Sequence, residues 1–187
     1  GERAVVSPTS AAGSVSVAVP LPSVEGYGAV LLDGYFPALS LPLAAQARSL
    51  GIPVILDAGS FKAHTDDAVR AADCVVASAD FAPTDTDGSP VEVFAYLAGA
   101  GVRCAAITRG SDSVLFWTPA GSGEVPVEPV TVVDTLGAGD FFHGALAAAI
   151  AGEGLTADGF AGQLGVASGV AGKSLGTFGT RSWLKER

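Results

Sequence analysis

Two short apolar runs, AVLLDGY at 29–35 and IPVILDA at 52–58, most constrain the fold. Each is rich in aliphatic and β-branched side chains, and each ends in an aspartate followed closely by glycine, as a buried strand does. The intervening LPLAAQARSLG carries helical spacing and a glycine stop. Strand, helix and strand in that order make a crossover unit. The pattern then repeats. Thr65 is placed to cap a helix over DDAVRAA, CVVAS reads as a strand, PVEVFAYLAGAG as a helix closed by glycine, and VRCAAIT as a further strand.

Alternation of this kind predicts a parallel sheet covered on both faces, with ligands bound beyond the carboxyl ends of its strands. Asp57, Thr108 and Asp134 each lie at or just past a predicted strand end. After Gly110 the character changes: SVLFWTP and the stretch from Glu124 to Val133 read as two antiparallel strands around AGSGE, and Ala138 to about Leu175 reads as helical. The expected organisation is one domain over 1–187. Residues 1–28, in which SVSVAVPLP is broken by Pro20 and Pro22, form a peripheral strand and linker, and 29–187 the core.

The 187 residues are 49% hydrophobic and 16% charged, enough for one sizeable core. Ten Lys and Arg stand against 19 Asp and Glu, a net charge of -9 with no basic stripe, which argues against nucleic acid as a partner. The absence of a long apolar run and of a secretory layout at the N-terminus predicts a protein without a membrane partner, in the cytoplasm. Cys74 and Cys104 lack CxxC spacing and read as buried free thiols, and no His/Cys cluster suggests zinc. No methionine occurs, even at position 1, so either processing removed the initiator or the sequence is expected to be a fragment, the reading that the family resemblance given below favours.

The richest segment is VVDTLGAGDFFHGALAAAIA, 132–151. A β-run ending at Asp134, a turn freed by Gly137 and Gly139, and a small-residue helix starting near Asp140 would aim successive N–H groups into one concavity at the positive end of that helix. Such a turn at Gly137, Ala138 and Gly139 suits phosphate charge. Asp140 beside it is placed to take the proton of an attacking hydroxyl, since phosphoryl transfer leaves the protein mainly positioning and electrostatics. Gly-Ala-Gly-Asp alone would sooner be read as a plain turn with a helix cap. ASGVAGKS, 167–174, also satisfies a permissive phosphate-loop pattern, but it lies in a helical stretch without the preceding strand.

The whole string DTLGAGDFFHGA matches the signature of the PfkB carbohydrate kinases, D-T-x-G-A-G-D-x-F-x-G-A, at every fixed position, and the chain resembles that family over nearly its whole length. The resemblance implies a ribokinase-like three-layer α/β sandwich with a mostly parallel central sheet, lacking the N-terminal lid portion that supplies most sugar contacts. It implies transfer of the γ-phosphoryl of ATP to a hydroxyl of a sugar, with Mg²⁺ bridging the phosphates, Asp140 as base and acceptor contact, and the 137–139 turn as anion hole. The isolated 187 residues would then turn over weakly. A nucleoside kinase on the same scaffold and a non-catalytic binding remnant remain alternatives.

By the same resemblance, AAITRGSDSVLFW carries the T-x-G segment along the triphosphate, Thr108 to Gly110. Lys62 and Ser78 stand where relatives contact ATP, and Ser168 lies on the C-terminal helix near the adenine. Asp134, Leu136, Ala171, Ser174, Gly176 and Thr180 match a monovalent, potassium-sized cation site, with Asp134 also in a structural role, and a homodimer of the intact enzyme is admitted. Two departures stand out: Ser113 replaces the last glycine of T-x-G-x-x-G, and Ser78 to Phe81 replaces N-x-x-E. His143, on the same helical face as Asp140, either packs or approaches the substrate, and His64 reads as an exposed loop residue.

Overall fold

The structure is a computed structural model that describes residues 20–62 and 65–185. Most of the strand read in SVSVAVPLP lies outside the described residues, as does His64, and residues 20–29 contain no strand.

Six strands form one sheet in the order in which they occur along the chain. They are β1 (Val30–Leu32), β2 (Val54–Ala58), β3 (Cys74–Ser78), β4 (Cys104–Arg109), β5 (Asp112–Thr118) and β6 (Gly121–Val125). The first four pair in parallel and the last two add as an antiparallel hairpin. Between the parallel strands run α1 (Pro37–Ser49), α2 (Thr65–Ala71) and α3 (Pro90–Gly99); α4 (Ala138–Glu153) and α5 (Phe160–Ser174) follow the hairpin, and a 3₁₀ turn spans Ser182–Lys185.

Layering follows from the handedness of the connections. Three crossovers that all step the same way across a sheet put their helices on the same face when each is right-handed. Residues of alternating parity face opposite layers accordingly. Val54, Leu56, Val75, Ala77, Ala105 and Ile107 pack in a core with Ala44, Ala47, Val69, Val93 and Leu97 of α1 to α3. Ile55, Cys74, Val76, Cys104 and Ala106 face Phe142, Leu146, Ile150, Phe160 and Leu164 of α4 and α5. Both faces of β2, β3 and β4 are buried, which is why they read as continuous apolar runs, while Leu31 of β1 is exposed. The fold is the expected three-layer α/β arrangement.

Local corrections are instructive. Helix α1 begins at Pro37 rather than in the LPLAAQ stretch, since proline is well suited to a first helical position, and it tolerates Pro42 within it. Thr65 begins α2, but its hydroxyl accepts the N–H of Lys62. The second hairpin strand is β6, inside the segment read as a turn. Glycines at 121 and 123 conceal it: φ at Gly121 is +146°, and Gly123 passes within about 3.0 Å of the Phe116 ring, measured from the position a Cβ would take. Residues 126–137 contain no strand, so the β-run expected to end at Asp134 is absent. That segment is instead clipped to the end of α5, where Leu175 O accepts the N–H groups of Val133 (2.8 Å) and Asp134 (3.3 Å). The helical stretch from Ala138 is broken at Gly154–Gly159, with φ +79° at Gly154. Among the described residues, no helix is long and apolar enough to cross a membrane.

Candidate active site at the carboxyl end of the sheet

Helix α4 starts from a left-handed residue. Gly137 is its N-cap at φ +79°, ψ 4°, and no side chain caps the helix. The turn closes through Ala138 N–H to Thr135 O (3.4 Å) and Phe141 N–H to Gly137 O (3.0 Å). First-turn N–H groups have no intrahelical acceptor, so this end of α4 presents donors and positive potential. Gly139 is exposed and a Cβ there would meet nothing within 4 Å. Asp140 sits in the same turn, is exposed, and makes no hydrogen bond among the described residues. The capping alternative for Asp140 is thereby set aside: the cap is Gly137.

Asp140 faces a cleft of about 450 Å³ whose lining includes Leu31, Asp33, Phe36, Asp57 and His143. Asp57 is the penultimate residue of β2, and Asp33 follows β1 directly. The β1–β2 register ends at Leu32↔Leu56, and the next residue along the chain in each case is an aspartate. His143 is buried at 7% exposure. Its Nδ1 lies 2.7 Å from Gly139 O, and its Nε2 lies 3.4 Å from Asp57 Oδ1, within ion-pair range but not aligned for a hydrogen bond. Burial pushes the Asp57 carboxyl above its ordinary range; His143 opposes the rise, while Asp140 and Asp33 add to it. Sequence reasoning placed Asp57 at a strand end but gave neither it nor Asp33 a place in the site, and it left His143 undecided. The signal was there in the matching VLLD and VILD runs.

The residues expected to contact nucleotide lie on several elements, most of them near the strand ends. Ser78 and Thr108 are register partners at the ends of β3 and β4. The Ser78 hydroxyl donates to Gly59 O (2.7 Å), and that of Thr108 points to Ala77 O (3.4 Å). Thr108 also stands in a ladder irregularity between Ile107 and Arg109, and Gly110 turns the chain at φ +64°. Where Ser113 replaces glycine, its carbonyl accepts from Arg109 Nε (3.0 Å) and a terminal guanidinium nitrogen (2.7 Å). Lys62 lines a smaller cavity of about 150 Å³ with Asp33 and Asp57, its Nζ 3.9 Å from the Tyr35 ring centroid. Ser168 is half-buried within α5. That helix runs unbroken through 167–174, with Lys173 exposed in its last turn, so the phosphate-loop geometry is not formed.

The residues matched to a cation site meet where α5 ends. Asp134 Oδ1 accepts Leu136 N–H and Oδ2 accepts Gly179 N–H, both at 2.9 Å, so this carboxylate ties two loops together. Ser174 Oγ donates to Ala171 O (2.7 Å), and the buried Thr177 hydroxyl, between Gly176 and Thr180, has no hydrogen-bond partner among the described residues. Among those residues, too, no group of three or more His, Cys, Asp or Glu side chains is gathered to hold a metal ion.

The same architecture occurs in known structures. Aminoimidazole riboside kinase from Salmonella enterica, complexed with aminoimidazole riboside and an ATP analog, superposes with a TM-score of 0.71 at 21% identity, over 82% of this chain and 58% of that one. Fructokinase with bound ATP from Xylella fastidiosa gives 0.68 at 19% identity, over 81% and 54%. Arabidopsis thaliana ribokinase complexed with ribose and ATP gives 0.67 at 23% identity, over 84% and 55%. The chain thus spans little more than half the length of each. A comparison with curated proteins found no match. The sequence model of the pfkB family carbohydrate kinases matches residues 26–186, and the chain belongs to that family.

Proposed function

We propose that the chain carries the nucleotide-binding and catalytic part of a kinase that moves the γ-phosphoryl group of ATP to a hydroxyl of a sugar or nucleoside, with Asp140 as general base. One observation carries this reading: an exposed carboxylate, with no hydrogen-bond partner among the described residues, stands in the first turn of a helix that opens on a left-handed glycine beside the cleft. Solved relatives that hold ATP or an ATP analog on this fold support the nucleotide.

In the proposed reaction the acceptor hydroxyl lies in the cleft and gives its proton to Asp140 as its oxygen bonds to the γ-phosphorus; the bond from that phosphorus to the β–γ bridging oxygen breaks, and ADP leaves. The N–H groups of the 137–139 turn face the charge that gathers on the transferring group, that of Ala138 by giving up its long, 3.4 Å bond to Thr135 O. Thr108 and Gly110, at the end of β4, lie along the phosphates, with Lys62, Ser78 and Ser168 as further nucleotide contacts. Magnesium, when bound with ATP, neutralises phosphate charge. The loop donors around Asp134, Leu136, Ala171, Ser174, Gly176 and Thr180 are hard oxygens, and the unpartnered Thr177 hydroxyl lies among them, which suits a potassium-sized cation.

Titration of ¹⁵N-labelled protein with Mg·ATP tests the site. Amide shifts should concentrate at Thr108, Gly110 and Gly137–Asp140. Shifts centred on 167–174, or none at millimolar nucleotide, would contradict the proposal.

A further inference from the structure

His143 presents its two ring nitrogens to acceptors. The Gly139 carbonyl oxygen, 2.7 Å from Nδ1, can only accept, so Nδ1 carries the hydrogen. In the neutral ring Nε2 is then a bare lone pair. It lies 3.4 Å from Asp57 Oδ1 and has no hydrogen-bond partner, although the side chain is only 8% exposed. An ionised Asp57, its side chain 35% exposed at the cleft, would set one acceptor against another at the bare Nε2, and that buried ring nitrogen left unsatisfied costs about 1–3 kcal/mol. One added proton, on either partner, removes that opposition and, with a small turn of the ring, allows a charge-assisted or neutral hydrogen bond.

We propose that His143 and Asp57 hold one proton between them and act as a positioning pair that fixes the first turn of α4, with Asp140 on it, against the carboxyl end of β2. The positioning half rests on the reading of Asp140 as the base; the shared proton does not. Both partners are anchored. Asp57 is held by its pairing with Val76 in β3, and the His143 ring bonds back one turn to the residue before Asp140 while packing edge-on to Phe142 at 5.8 Å.

The surroundings favour keeping the proton. His143 meets Asp57 from β2, Asp33 from the segment after β1 and Asp140 from its own helix, and the one lysine nearby, Lys62, lines the neighbouring cavity with Asp33 and Asp57. Burial above all raises the Asp57 carboxyl above its ordinary range, His143 opposes that rise, and the charges of Asp140 and Asp33 add to it. The shared proton belongs to the pair, and its loss is what breaks the clamp. As pH rises through its deprotonation, the clamp gains a negative charge beside Asp140 and loses its bond.

The sequence has two histidines, so His64→Gln leaves His143 as the single reporter in ¹⁵N imidazole spectra. The expected result is a hydrogen on Nδ1 at every pH, and loss of the pair's proton at least about one pH unit higher with Asp57 than in Asp57→Asn, whose amide donates to Nε2 but attracts no proton. An Nε2–H tautomer, or the same midpoint in both proteins, would overturn the shared proton. For the positioning role, His143→Gln should lower kcat about tenfold or more while leaving KM for ATP within twofold, and its alkaline limb should be lost. An unchanged kcat with an unchanged pH profile, in a variant whose thermal melt shows it folded, would overturn positioning. If the wild-type protein transfers no phosphoryl group, the imidazole titration still decides the proton, so the two failures stay distinct.

Discussion

Gly137→Ala isolates the backbone geometry on which the proposed phosphate-binding turn depends. At φ +79° a Cβ costs about 1–2 kcal/mol in left-handed backbone energy. The added methyl would also stand 3.3 Å from Thr180 Cγ2 and 3.7 Å from both Asp140 Oδ2 and Phe141 Cε2. The first of these contacts requires only a few tenths of an ångström of adjustment, so the backbone term dominates. Urea unfolding should show a loss of about 1–2 kcal/mol, and a thermal melt a fall of about 2–8 °C for a chain of this size. Thr180→Ser in the Gly137→Ala background removes Cγ2 and should restore less than half of the loss. Gly139→Ala is the control, because its Cβ meets nothing within 4 Å inside a helical turn. It should stabilise by up to about 1 kcal/mol through helix propensity while weakening Mg·ATP binding, since the methyl occupies the space a phosphate would approach. A Gly137→Ala protein as stable as wild type, or fully rescued by Thr180→Ser, would refute the strain argument.

Gly28→Ala should cost about 1–3 kcal/mol or more, because the new Cβ would fall 2.6 Å from Ala151 O in the backbone of α4, and an unchanged urea midpoint would contradict that contact. Phe160→Ala removes a fully buried ring stacked edge-on to Phe116 and should cost about 3–5 kcal/mol by the same assay; a loss under about 1 kcal/mol would show that the α5 core is not packed as described. Cys74 and Cys104 are buried register partners on β3 and β4, and burial pushes both thiols up, Cys104 to about 11. Ellman's reagent at pH 8 should therefore label the native protein far more slowly than the unfolded one, and rapid native labelling would place the thiols elsewhere.

The parallel half of the fold was legible because burial on both faces writes itself as uninterrupted Val, Ile, Leu and Ala, and CVVAS matches β3 to the residue. The hairpin's second strand was not, since GSGEV has almost no side-chain surface and owes its pairing to β5. Residues 126–134 misled in the opposite sense. VTVVD has strand chemistry, but its backbone partner is Leu175 at the end of α5, a contact no local pattern announces. The turn at 137–139 stood out, with Asp140 beside it, because two glycines flanking one small residue at a helix start free the backbone for a tight turn. Asp33 and Asp57 converge only through the register of two adjacent strands, and His143 joins them across layers. That convergence depends on tertiary packing, and only the repeated run of three apolar residues ending in aspartate hinted at it.

The most direct test of the account is the kcat of Asp140→Asn, measured as ADP release with ATP titrated at saturating sugar or nucleoside, beside a thermal melt. Asp140 makes no capping or other hydrogen bond among the described residues, so asparagine should leave the helix start and ATP affinity almost unchanged while removing the proton acceptor. The expected loss is about 10²–10⁴-fold in kcat with little change in KM for ATP. A folded Asp140→Asn enzyme that kept more than about a tenth of the wild-type kcat, less loss than a missing general base causes, would contradict the assignment of Asp140 as the base.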